Sequence, residues 1–237
     1  MDMPVIVEIV DPVTQKIFEE PFDYFHWVDE KFSTFKQTSE ITKINNGLLK
    51  KSEYSGEMKE IFRLAEQTKK ETNGYFNIEQ HGKLDPSGIV KGWAIHNAAD
   101  VLRKKGIMNF YVEVAGDIEV SGVNPDGKPW VIGIRNPFNV QEIVKVVHLK
   151  NMGIATSGTY ERGNHIYIPQ TGDTADEIAS ITVIGPNVYE ADRYATAAFA
   201  MGKKGIEFLE HLKGFAGYMI GKDRMATMTS GFEKYQV

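Results

Sequence analysis

Asp192 and Thr196 stand four residues apart in Tyr189-Glu-Ala-Asp-Arg-Tyr-Ala-Thr-Ala-Ala-Phe-Ala-Met-Gly202, a run rich in helix formers. One helical turn separates them, so their side-chain oxygens emerge on the same face. A carboxylate beside a neutral hydroxyl suits Mg²⁺, a hard cation that keeps few protein ligands and completes its shell with water and phosphate oxygens. The same spacing also occurs on solvated helix faces, so the pair alone leaves both readings open.

A second constellation, Leu84-Asp-Pro-Ser-Gly-Ile-Val-Lys-Gly92, opens a helix. Helix starts present unpaired N–H groups and the positive dipole end, which attract phosphate. Gly88 permits close approach, and Lys91 adds a cation one turn in; a capped helix with a surface lysine is the plainer alternative. Neither the Gly-x-x-x-x-Gly-Lys-Ser/Thr order nor a Gly-x-Gly-x-x-Gly is present, so the nucleotide-hydrolase and dinucleotide fingerprints do not apply. Farther on, the small residues Ala155-Thr-Ser-Gly158 let main chain and the Ser157 hydroxyl approach a ligand, and His165 offers a proton carrier near neutrality. Ser157 lacks a Gly-x-Ser-x-Gly elbow and is no hydrolase nucleophile; a strand ending in a turn explains its run equally well. Phe35, Tyr75 and Phe76 lie in or near turns, where a ring system could stack, although core packing would use them too.

The elements that position these residues follow from apolar periodicity. A strand is expected over 5–10. Phe22, Phe25, Val28 and Phe32 recur at helical spacing, as do Met58, Ile61, Phe62 and Ala65, whose helix stops at Asn73-Gly74. Val90, Trp93, Ala94, Ala98, Val101 and Leu102 form the buried face of a third helix, with Ser87 placed to cap it and Gly106 beyond its basic end. Strands are expected over 109–114, 118–122, 130–135, 143–149 and 178–184, with Gly116-Asp117 making a bulge or hairpin. The helix carrying Asp192 comes next, then a helix over 206–212 and a strand pair around Tyr218 and Met225. Short gaps between strands favour antiparallel pairing, which predicts an α+β fold of helices on largely antiparallel sheets.

Composition bounds the function. The 237 residues suffice for one large domain or two joined lobes, and residues 1–237 show no linker. A net charge of -5 with interspersed signs argues against a nucleic-acid surface or an anionic membrane. Without cysteine, disulfides and thiolate chemistry are excluded. No run approaches membrane-spanning length and the first residues do not read as a signal segment, so a cytoplasmic protein is expected, with an exported parent still open.

Taken in order, Phe32-Ser-Thr-Phe-Lys-Gln-Thr-Ser-Glu-Ile-Thr-Lys-Ile-Asn45, Gly74-Tyr-Phe-Asn77, Asp85-Pro-Ser-Gly-Ile-Val-Lys-Gly92, Ala115-Gly-Asp117, Thr156-Ser-Gly-Thr-Tyr160, His165-Ile-x-x-Pro-x-Thr-Gly172 and Ala191-Asp-x-x-Ala-Thr196 resemble the ApbE family. These are the FAD:protein FMN transferases, and the likeness runs almost end to end. It implies a single two-lobed ApbE-like domain that uses Mg²⁺ and FAD, transfers FMN to a Thr or Ser hydroxyl of an acceptor flavoprotein, and releases AMP. By motif, the metal site maps onto Asp192, Thr196, Ala195 and Gly88, the last two through main-chain oxygens. Flavin-nucleotide contacts map onto Phe35, Tyr75, Phe76, Asn77, Asp85, Lys91 and Ile166, with Ser157 in the small-residue run beside them. His165 takes the place of the family histidine at the reacting phosphate, and Lys91 stabilises phosphate charge.

The chain departs from the family pattern at several points. Asn77 replaces an Asp, Ala115 a Gly and Ile168 an Asp, the stretch from Asn77 to Asp85 is short, and the start reads Met1-Asp2-Met3. Hydrolysis of FAD to FMN and AMP, or flavin binding without turnover, are the alternatives.

Overall fold

The computed structural model describes residues 3–80, 82–159 and 166–236. Its elements begin with β1 (Val5–Ile9), α1 (Gln15–Phe32), α2 (Glu40–Asn45), α3 (Gly56–Glu71), the short β2 (Glu79–Gln80) and β3 (Lys83–Leu84), and α4 (Ser87–Lys104). Then come β4 (Phe110–Val114), β5 (Asp117–Ser121), β6 (Trp130–Asn136), β7 (Asn139–Leu149), β8 (Met152–Gly158) and β9 (Ile178–Gly185). The chain closes with α5 (Val188–Ala200), α6 (Lys204–Glu210), β10 (Ala216–Gly221) and β11 (Ala226–Met228).

Helices form where apolar spacing placed them, and local chemistry sets their ends. α3 stops because Asn73 and Gly74 both adopt positive φ, 51° and 83°, and the Gly74 N–H closes back on the Lys69 carbonyl at 2.7 Å. The buried Thr72 hydroxyl donates to the Thr68 carbonyl and accepts the Phe76 N–H, which fixes the turn that follows. α4 starts differently from expectation. Ser87 is its first residue, no side chain caps the Pro86 position, and Asp85 Oδ1 instead accepts the Ser87 N–H at 3.0 Å. Pro86 holds φ at -84° for this tight entry, so the carboxylate before the proline takes the role assigned to the serine after it.

Seven strands form one sheet in the order β1-β4-β5-β8-β9-β10-β11, every neighbour antiparallel. This is the expected α+β class. The pairs β2–β3 and β6–β7 stand apart as hairpins. β7 begins at Asn139, four residues before the expected start at 143, because its exposed first residues carry no apolar alternation. Between β4 and β5, Val114 pairs with Asp117, leaving Ala115 and Gly116 as a two-residue turn with φ of 48° and 84°. Positive φ at both positions is the turn geometry that matches strand twist, so the hairpin is realised and the bulge is not.

Side chains alternate between the sheet's two faces. On one face Ala155, Ile181, Val183 and Met219 pack against α5 and α6; on the other Ile118, Val120, Ile154 and Ile184 meet Trp130, Ile132 and Val147 of the β6–β7 ribbon. A third cluster joins α1, α3 and α4 to β4. Covered on both sides, β9 and β10 are buried along their whole length. Among the described residues no helix is long and apolar enough to cross a membrane.

Candidate active site

A cavity of about 450 Å³ opens where the start of α4 meets α5, the end of β8 and the turn after α3. That volume lies in the usual range for small-molecule sites, roughly 300–1,000 Å³. Lys91, Gly88, Asp85, Asp192 and Thr196 line one part of it; Phe35, Tyr75, Phe76, Asn77, Ser157 and Ile166 line the rest. Nearly every residue singled out from the sequence therefore converges here. Two do not. Ala195 is fully buried in the apolar cluster between α5 and the sheet and does not line the cavity. His165 lies outside the described residues.

The solvated-face reading of the Asp192–Thr196 pair fails, because Asp192 is only 4% exposed. Its Oδ2 accepts the Gly92 N–H at 2.8 Å across the α4–α5 junction. A Cβ at Gly92 would lie 2.7 Å from Asp192 Cβ and 2.9 Å from the Val188 carbonyl, so glycine is what lets the two helices approach. One turn earlier, a Cβ on Gly88 would meet Thr196 Oγ1 at 3.7 Å and the Phe76 ring at 3.5 Å. The helix start and the hydroxyl thus face one another across a narrow gap.

Asp117, read in the sequence as part of a turn and of the Ala115-Gly-Asp117 motif but given no role, stands beside this site. It is 1% exposed; its Oδ1 accepts the Thr156 N–H at 3.1 Å, and its Oδ2 lies 2.5 Å from the Lys91 ammonium. No donor among the described residues is aligned with Oδ2 at hydrogen-bonding angles, so Lys91 meets it by charge rather than by a well-formed hydrogen bond. Burial pushes the Asp192 carboxyl well above the ordinary carboxylate range; Lys91 opposes this, and the Asp117 carboxylate adds to it.

Lys91 pairs with Asp117, and its charge also acts on Asp192. The donor set fits a hard cation: a carboxylate, the Thr196 hydroxyl and room for phosphate. Among the described residues no group of three or more His, Cys, Asp or Glu side chains gathers to hold a metal. An ion here would accordingly complete its shell with water and, when a ligand is bound, with phosphate oxygens.

The aromatic residues separate into two kinds. Phe35 is 91% exposed at the cavity rim, with its N–H on Ser33 Oγ, and is available to stack. Phe76 is 2% exposed and packs the core, showing the cavity only a ring edge. Asn77 Oδ1 is engaged by the Glu79 N–H, which ties that side chain to the short β2–β3 hairpin.

α5 is anchored from several sides. Asn187 caps it through the Glu190 N–H, and Glu119 Oε2 accepts the Val188 N–H at 2.6 Å. Glu119 Oε1 in turn meets Arg103 at 2.6 Å and His96 at 3.2 Å, both on α4. Beside Asp192, the buried Arg193 pairs with Glu71 of α3 and Glu190 and lies 4.1 Å from the Tyr194 ring centroid.

Comparison with known proteins points to one family. The chain is 32% identical over 150 residues to the FAD:protein FMN transferase of Escherichia coli K12, covering 59% of this chain and 43% of that protein. It is 35% identical over 131 residues to the enzyme of that name from Vibrio cholerae, covering 51% and 39%. These matches span about two fifths of the length of the curated relatives. Among solved structures, the ApbE protein of Thermotoga maritima superposes with a TM-score of 0.87 at 22% identity, covering 99% of this chain and 96% of that one. The flavin transferase ApbE of Vibrio cholerae gives 0.81 at 21%, covering 99% of each. The model described as ApbE family matches residues 1–82 and again 78–219, and the two segments meet at the shortened hairpin between Asn77 and Asp85. By fold and by this match along most of its length, the chain belongs to the ApbE family.

Proposed function

We propose that this chain, with Mg²⁺, transfers FMN from FAD to a Thr or Ser hydroxyl of an acceptor flavoprotein and releases AMP. The observation that carries the reading is the α4–α5 junction. There a buried carboxylate, a hydroxyl, a lysine and a helix start share one cavity. The relatives' name, FAD:protein FMN transferase, supports the same chemistry.

In this reaction the acceptor oxygen bonds to the FMN phosphorus while the bond from that phosphorus to the AMP oxygen breaks. The hydroxyl proton passes to a base, the role proposed for His165, and from there to the departing AMP phosphate. Lys91 and the N terminus of α4 draw the diphosphate into place and offset its charge. Asp192 and Thr196 would hold the ion, with main-chain oxygens of Gly88 and Ala195, and bound Mg²⁺ supplies charge neutralisation on the phosphoryl oxygens. Exposed Phe35 stacks on the flavin or adenine ring. Tyr75, Asn77, Asp85, Ser157 and Ile166 shape the remaining walls.

Incubating the pure protein with FAD, Mg²⁺ and a peptide bearing an acceptor threonine tests this reading. A flavinylated peptide, seen by in-gel fluorescence and mass, is expected. Free FMN alone would assign hydrolysis, and unchanged FAD would assign a binding protein.

A further inference from the structure

Two buried carboxylates, Asp192 on the cavity wall and Asp117 outside its lining, lie within reach of one lysine's charge. That ammonium and a divalent cation would both be drawn to Asp192. A buried charge deprived of one partner is costly, so the lysine's position depends on which carboxylate engages it. The carboxylate that does so is Asp117. Its place is fixed by the two-residue turn before it, by burial, and by the Thr156 N–H on Oδ1, which leaves Oδ2 facing the ammonium at 2.5 Å.

We propose that Asp117 is a positioning residue that engages the Lys91 ammonium and thereby keeps Asp192 open to a divalent cation. This rests on the Mg²⁺ reading above. Asp117 does not line the cavity; it acts through the lysine, so that one cationic side chain can serve the phosphate without occupying the metal's carboxylate. The hairpin turn and β5 exist at this point to deliver a carboxylate to the buried side of α4.

The test is Mn²⁺ uptake by the full chain without FAD, read by electron paramagnetic resonance. Wild-type protein should bind Mn²⁺ and Asp192→Ala should not; a wild-type chain that takes up none would overturn the metal reading itself. Asp117→Asn keeps the shape and the acceptor for the Thr156 N–H but deletes the charge, and should weaken Mn²⁺ binding about 10- to 100-fold, the usual scale for groups behind a metal ligand. Adding Lys91→Met to Asp117→Asn should restore wild-type affinity, because the competitor is gone. Lys91→Met alone should bind Mn²⁺ at least as tightly as wild type. Undiminished binding by Asp117→Asn, no recovery in the double variant, or weaker binding by Lys91→Met would each overturn the proposal, and the single lysine variant decides the matter if Asp117→Asn does not fold.

Discussion

Asp117 and Glu119 point to the same face of β5, two residues apart and each 1% exposed, yet they are treated in opposite ways. Glu119 is surrounded by donors: the Val188 N–H, the Arg103 guanidinium and the His96 ring. Asp117 has a backbone N–H on one oxygen and a poorly aligned lysine on the other, with the Asp192 carboxylate close enough to feel its charge. The first is a brace whose charge is balanced within the fold. The second has one lysine and the charge of a neighbouring carboxylate beside it, an environment found more often at functional sites than in structural braces.

Substitutions can break this contrast. The largest expected effect is on activity: Asp192→Ala should reduce FMN transfer by about 10³-fold or more, the several kcal/mol that a catalytic metal supplies. Its thermal midpoint should not fall, since a buried, poorly compensated carboxylate is removed. A variant that keeps full transfer with Mg²⁺ would refute the metal assignment. Glu119→Ala should behave in reverse, costing about 3–5 kcal/mol in denaturant unfolding because it orphans the Val188 N–H and leaves Arg103 without its buried partner. If that variant is as stable as wild type, Glu119 is no brace.

Gly92→Ala should cost about 1–3 kcal/mol by overpacking the α4–α5 junction, and should weaken Mn²⁺ uptake as the new methyl displaces Asp192. An unchanged melting curve together with unchanged Mn²⁺ uptake would contradict it. The smallest effect is in pH. Burial disfavours charge on His96, but the hydrogen bond and charge of Glu119 outweigh it and hold the imidazole pKa above its ordinary 6.5. A group bound more tightly to its proton in the folded state stabilises the fold fully below that ordinary value and loses the contribution as pH rises through its folded pKa. Thermal midpoints should therefore decline from about pH 6.5 upward in wild type and less in His96→Gln. Parallel curves for the two proteins would show that the ring does not titrate against Glu119.

Much of the site was legible because its parts are local. Asp192 and Thr196 are one helical turn apart, and Gly88 and Lys91 likewise, so each half is written within a few residues. Asp117 and Glu119 were not, and the reason is tertiary. Asp-Ile-Glu-Val-Ser alternates polar with apolar, the pattern of a strand with one wet face, and only α4 and α5, distant in sequence, turn that face into an interior. The same distinction accounts for smaller differences. Phe35 and Phe76 are alike in sequence context, but one is left at the rim and the other is drawn into the core by Thr72 and α3. Ser87 looked like a cap because serine commonly is one, whereas the proline before it moved the helix start forward and passed the task to Asp85.

The start of α5 rests on β8 with main chain against main chain: a Cβ on Gly153 would come within 1.9 Å of the Val188 nitrogen. Such a joint has no slack to take up, since neither rotamer change nor loop movement can relieve backbone contact. The start of α5, one turn before Asp192, is consequently held against the sheet. Amide exchange along α5 is expected to be slow in the empty protein and little altered when FAD and Mg²⁺ are added.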